Sequence, residues 1–360
     1  MQLNFSESKL PIASFMLIAP FFLWGTAMVV MKGVMPHTTP LFMAGMRLLP
    51  AGILVLLTAI LLNRPQPKSW QAWAWIVLFA LVDGALFQAF LAVGLVQTGA
   101  GLGSVIIDSQ PLAVAIMARI LFGELIGLWG WLGLALGVIG ISFLGLPDTW
   151  LQALSQGSFM LSNGASATEF LLSLFQRGEW LMLLAALSMA AGTIMIRFVC
   201  RYTDPIIATG WHMILGGLPL LVLSACSETQ QWVYLDLSGW MALAYVTVFG
   251  SAIAYGLFFY LASKGSLTSL SALTFLTPVF AILFGSLFLS EVLSSTQWVG
   301  AGFALVSIYL INQREFLAKT IRFNHLVGAN QVADDSSKLA KSTVIQQDNA
   351  SLKAESETSF

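Results

Sequence analysis

The chain has 360 residues, of which 58% are hydrophobic and only 9% charged, with 16 Lys and Arg against 17 Asp and Glu. A soluble domain carries about 25% charged residues, so this chain lacks the groups to cover a water-facing surface, and its net charge of −1 excludes a strong electrostatic draw to nucleic acid. Twelve of the charged residues crowd into positions 313–360, and the surface of the rest must face lipid.

Lys9 precedes an apolar run of membrane length with no A-x-A site to close it, so residues 12–31 read as a retained first membrane helix rather than a signal peptide. Further stretches of roughly 20 apolar residues, the length that crosses a bilayer, follow at 39–62, 72–93, 98–119 and 127–146. Five more fall at 178–199, 204–225, 238–260, 266–288 and 294–312. Turn chemistry separates them: Pro36 to Pro40, Arg64 to Ser69, Thr203-Asp204-Pro205 and Lys264-Gly265-Ser266. The sequence predicts an all-α polytopic membrane protein of ten helices.

Orientation follows from the basic residues. With the N-terminus in the cytoplasm, ten Lys and Arg hold or border cytoplasmic segments, and only Lys32 and Arg177 fall on the other side. Both termini are therefore expected in the cytoplasm of a cell-membrane (inner-membrane) protein. Cys200 and Cys226 then lie near opposite faces and should not pair.

The chain repeats itself at an offset of 167: Gly25-Thr26 matches Gly192-Thr193, Met28 matches Met195, Trp73 matches Trp240, Pro111 matches Pro278, Glu124 matches Glu291 and Trp131 matches Trp298. Early in each half the offset is 165, which pairs Pro40 with Pro205 and Arg47 with His212. Five spans per half is an odd number, so the second half must be inverted relative to the first. Inverted repeats are a common plan for secondary transporters, because two equivalent halves can exchange conformations around one central site.

The expected organisation is a cytoplasmic N-terminus (1–11), a first five-helix repeat (12–146), an extracytoplasmic connector (147–177), a second five-helix repeat (178–312) and a disordered cytoplasmic tail (313–360). The connector reads equally as interfacial amphipathic helices or as a plain linker.

Trp24-Gly25-Thr26 followed by Lys32, Pro40 and Arg47 resembles the opening of the EamA family of the drug/metabolite transporter superfamily. The spacing from Pro111 to Gly123-Glu124, repeated from Pro278 to Ser290-Glu291, resembles that family's closing segment. The resemblance covers residues 12–312. It implies two EamA-like repeats and export of metabolites, amino acids or drugs. His212, where a second Arg is expected, and the long connector depart from the pattern.

Ionisable groups at membrane depth are costly and are functional candidates by default. Asp83 and Asp108 sit near the middles of the third and fourth spans, and Arg47 and His212 at similar depths in opposite halves. A carboxylate in a central cavity binds a cationic group or a proton, and competition between the two would couple transport to a proton gradient. The alternative is a buried ion pair with Arg47 that fixes helix packing. Trp24, and Gln88 paired by the repeat with Tyr255, are candidates to shape a substrate pocket, with ordinary packing as the alternative. Pro111 and Pro278 read as matched hinge or cavity-shaping prolines. Gly99, Gly101, Gly103 and Ser104 lack the Lys of a phosphate loop and read as helix packing.

No phosphate-loop or H-E-x-x-H motif occurs, so neither ATP hydrolysis, a cofactor nor a metal is expected. The expected function is a secondary transporter, not an enzyme, with a small-molecule substrate, the lipid bilayer and protons as its partners. Nothing in the sequence supports the option of a homodimer. Two alternatives remain: an intramembrane aspartyl protease-like enzyme using Asp83 and Asp108, and a channel or structural membrane subunit. The protease lacks a G-x-G-D motif and gives no reason for an inverted repeat.

Overall fold

The computed structural model describes residues 10–97, 106–145, 177–289 and 294–313, and these are helices and the turns between them, with no strand. The first half holds α1 (Leu10–Val34), α2 (Pro40–Leu61), α3 (Trp70–Gln97), α4 (Gln110–Phe122) and α5 (Gly127–Gly145). The second holds α6 (Arg177–Val199), α7 (Pro205–Ser227), α8 (Leu237–Ala262), α9 (Leu267–Leu287) and α10 (Ser295–Asn312). Eight are long and apolar enough to cross a membrane, the exceptions being α4 and α10. Many of their large apolar side chains point outward, as lipid contact requires. The connector, the tail, Glu291 and the glycines at 99–103 lie outside the described residues.

Helix starts are set locally. Pro40 and Pro205 occupy the first turn of α2 and α7, where the missing N–H has no intrahelical partner anyway. Asp204, Asp236 and Ser266 accept backbone N–H groups at the starts of α7, α8 and α9. Gly123 ends α4 in the left-handed conformation with φ of 65°.

Symmetric pairing organises the bundle. α2 lies along α7, its repeat counterpart, and α5 along α10. A methyl group on Gly45 would fall 2.7 Å from Leu221 Cγ, and one on Gly210 2.7 Å from Leu56 Cγ. These two contacts are images of each other under the offset of 165. The small residues let the backbones approach closely, which is how helices gain packing energy where lipid already satisfies the hydrophobic effect.

α2 and α7 run antiparallel, because each end of one meets the opposite end of the other. Glu228, just past α7, accepts the Leu41 and Phe42 N–H groups of α2 at 2.8 and 3.0 Å. At the other face Arg64, past the end of α2, reaches Asp204 at 3.4 Å.

Two features were not visible in the apolar pattern. α3 winds into a π-helix over Ala80–Leu86, and α8 does so over Val246–Ile253. The two segments coincide under the repeat. A π-turn is rare, inserts a residue into the helix, and marks functional sites disproportionately. Likewise Ser109 breaks the helix before α4, just ahead of Pro111, while a 3-10 turn at Leu273–Phe275 precedes Pro278 in α9.

Candidate functional site

A cavity of about 520 Å³ lies between the halves, lined by α1, α2, α3, α9 and the residues Ile107, Asp108 and Gln110 at the start of α4, with single residues from other helices. It reaches the end of the bundle where Lys32 and Pro36 are exposed, beside the start of α2. Away from that mouth Phe21, Trp24, Tyr255 and Phe258 close together. Trp24 stands 5.1 Å from both Tyr255 and Phe258, and Phe21 6.1 Å from Phe258, between ring centroids.

Arg47, 6% exposed, faces this cavity. Its guanidinium donates through Nη2 to Gln88 Oε1 and through Nη1 to Met31 Sδ at 3.4 Å. Gln88 Nε2 donates in turn to the Tyr255 hydroxyl at 2.9 Å, across 167 positions of sequence. Gln88 and Tyr255 are repeat counterparts, so a direct bond between them places them at the pseudo-twofold axis. Gln110 and Thr277, also counterparts, both line the cavity.

Several buried polar atoms on this lining have no partner among the described residues: Trp24 Nε1, Arg47 Nε, both amide atoms of Gln110 and Thr277 Oγ1. An unpartnered buried polar group costs about 1–3 kcal/mol, so these atoms call for water or a polar ligand. Asp108 adds a carboxylate to the same lining, and Met28, Met35 and Met43 give it a pliable apolar surface. Pro278 lines the cavity as well.

Asp83 and His212 are elsewhere. They are 1% and 0% exposed and are absent from the cavity lining. Asp83 Oδ2 lies 3.2 Å from His212 Nε2, and His212 Nδ1 lies 2.6 Å from the Thr209 carbonyl. The imidazole stacks on Phe79 at 4.2 Å and meets the edge of Phe259 at 5.3 Å. The expected alternatives for Asp83, a cavity carboxylate or a pair with Arg47, are thus replaced by a pair with His212, while Arg47 goes to Gln88. Asp83 and Asp108 do not form a shared carboxylate site, because only Asp108 reaches the cavity.

Sequence reading passed over Thr277 and the methionine lining. The repeat offers a signal for Thr277, since it is the counterpart of Gln110. Trp73 packs on Trp211 at 5.0 Å and Trp75 stacks on Phe198 at 5.4 Å.

Ten helices in two halves, with α2 paired to α7 and α5 to α10 and a largely apolar cavity that carries polar groups at depth between them, define a multi-pass membrane protein of inverted-repeat transporter architecture. The sequence pattern of the EamA-like transporter family matches residues 11–146 and 176–313, and the chain belongs to that family. An uncharacterized transporter of Synechocystis sp. is 63% identical over 306 residues, covering 85% of this chain and 91% of the relative. A WAT1-related chloroplastic protein of Arabidopsis thaliana is 53% identical over 300 residues, covering 82% of this chain and 68% of the relative. The uncharacterized inner membrane transporter YedA of Escherichia coli is 27% identical over 312 residues, covering 84% and 90%. A crystallised protein with 15% identity shares the fold, at a TM-score of 0.66 over 86% of this chain and 98% of that one.

Proposed function

We propose that the protein is a secondary active transporter that exports small amphipathic molecules by alternating access, set in the cell membrane with both termini in the cytoplasm. The observation that carries this reading is the cavity itself: about 520 Å³ between the two halves, apolar over most of its lining, with unpartnered polar atoms at depth and closed beyond them by aromatic rings. Trp24 Nε1 and Arg47 Nε are donors, so the head group that fits them carries acceptors, as a carboxylate does. Asp108 suits a cationic group on the same molecule. In the orientation set by the basic residues, the cavity faces away from the cytoplasm.

The test is a growth panel in a sensitive bacterial host overproducing the protein. Amino acids, their toxic analogues and cationic drugs are supplied in turn, with Asp108→Asn and Trp24→Phe as variants. The expected result is protection against carboxylate-bearing compounds, abolished by Asp108→Asn and weakened by Trp24→Phe, which removes one N–H and little volume. Protection confined to cations without an acceptor group would refute the head-group assignment. Absence of protection, with the protein verified in the membrane, would count against export.

A further inference from the structure

The Asp83–His212 pair is buried, ionisable and unused by the cavity. Its hydrogen bonding fixes its proton count. A carbonyl oxygen only accepts, so the 2.6 Å contact with Thr209 requires a proton on His212 Nδ1. A neutral imidazole protonated there presents a lone pair at Nε2. Facing an ionised Asp83 across 3.2 Å, that lone pair would be repelled. The contact therefore needs a second proton between the side chains, either on Nε2 opposite a carboxylate or on the carboxyl opposite a bare Nε2. Both forms hold one proton more than neutral histidine plus aspartate, and both are neutral overall. Removing it leaves one uncompensated negative charge among buried side chains and removes the bond that ties α3 to α7.

The repeat says where this bond acts. His212 is the counterpart of Arg47, and Asp83 is the counterpart of Gly250. The image of the Asp83–His212 contact is thus the place where Arg47, with no carboxylate opposite, turns to Gln88 and the open cavity. Arg47 lies seven positions into α2 from the mouth end, and His212 seven positions into α7 from the opposite face. The pair closes the half of the molecule that its image leaves open.

We infer that Asp83 and His212 form a proton-binding site, outside the substrate cavity, that holds the face opposite the cavity mouth shut while protonated and releases it when the proton leaves for water on that face. The inference rests on the transporter reading for its purpose, though not for its chemistry.

Other groups around the pair do not supply this titration. α6 presents Gly192, whose added methyl would lie 2.2 Å from Asp83 Oδ1, and its Arg197 donates to the Ala262 and Gly265 carbonyls. α8 presents Phe259, with the Tyr255 ring tilted behind it at 5.9 Å, and Tyr255 accepts from Gln88. On α2, Arg47 is bonded to the same Gln88. α3 carries no other charged side chain.

The test needs no substrate. Met195, the counterpart of the cavity residue Met28, is replaced by cysteine in a chain whose Cys200 and Cys226 have become serine. The rate followed is that of its reaction with a thiol reagent added at the face opposite the mouth, divided at each pH by the rate of a solvent-exposed reference thiol because thiolate ionisation alone speeds labelling, in proteoliposomes between about pH 5.5 and 8, the range in which histidine titrates. The expected rate rises with pH, approaching the limit of about tenfold per unit for one linked proton. Asp83→Asn and His212→Gln should each abolish the dependence, and Asp108→Asn should retain it. A pH-independent rate in the parent would overturn the inference, as would dependence that survives Asp83→Asn or vanishes with Asp108→Asn. Should Asp83→Asn or His212→Gln fail to fold, nitrogen-15 NMR of the parent decides: the His212 ring-nitrogen signals must change with pH, as loss of the shared proton from either Nε2 or the Asp83 carboxyl requires. Growth-panel failure alongside pH-dependent labelling would count against the export reading and leave the proton site standing.

Discussion

Gly192 and Gly25 occupy the same place in the two repeats, and each is a glycine because another helix leaves no room. A methyl on Gly25 would lie 2.5 Å from Phe280 Cβ, and one on Gly192 2.2 Å from the Asp83 carboxylate. Gly192→Ala must therefore push Asp83 away from His212. Forced overpacking costs about 1–3 kcal/mol, and here it also strands a buried imidazole. We expect a clear loss of thermal stability in detergent for Gly192→Ala and almost none for Gly302→Ala, whose added methyl would meet nothing within 4 Å. Equal melting temperatures for the two variants would contradict the packing. At this scale the sequence was informative about burial and mute about partners. Depth along each span marked Asp83, Arg47 and His212 as costly. The choice of His212 over Arg47 for Asp83 depends on contacts 129 residues apart, which no local pattern encodes.

Elements show a different division. The ten helices were legible because each apolar run has a physical length to satisfy and each break carries Pro, Gly or a capping side chain. The π-turns in α3 and α8 were not, since the extra residue is accommodated inside an unbroken apolar run. Helix ends joined across the chain were also hidden. Glu124, in the turn after α4, accepts the Leu267 and Thr268 N–H groups at 3.0 and 3.1 Å and the Thr268 hydroxyl, capping α9 from the other repeat. Burial alone would raise the Glu124 pKa, but these bonds and one from Ser266 outweigh it and hold the carboxyl below its usual range. The sign follows: a depressed folded value stabilises above the unfolded pKa of about 4.3, and the contribution disappears as pH falls through the folded value. Glu124→Gln should lower stability by about 1 kcal/mol at pH 7, as lost caps do. The gap should narrow on acidification below pH ~4, read by thermal unfolding at both pH values. A gap that widens in acid would show that the carboxylate charge is not what stabilises α9.

The whole molecule is asymmetric in a way its sequence is not. Counterpart residues hold unlike positions: Arg47 borders an open cavity while His212 is sealed against Asp83, and Gly25 packs on α9 while Gly192 packs on α3. The alternating access proposed for the protein requires a second arrangement, in which the two halves exchange conformations. The repeat made this expectation legible. Which half is open was not legible, because it depends on packing between residues far apart in the sequence. The state described is held at the closed end by Phe21 against Phe258, 6.1 Å apart. Cysteines at these two positions, joined by a short bifunctional thiol cross-linker, should fix α1 to α8 and bar the exchange. Growth protection or vesicle flux should then fall to background and return when a cleavable linker is reduced. A Met28→Cys reporter should stay reactive from the mouth throughout, while Met195→Cys becomes unreactive at every pH. Undiminished flux with the link in place would mean that substrate crosses without the two halves trading conformations, as it would through a channel.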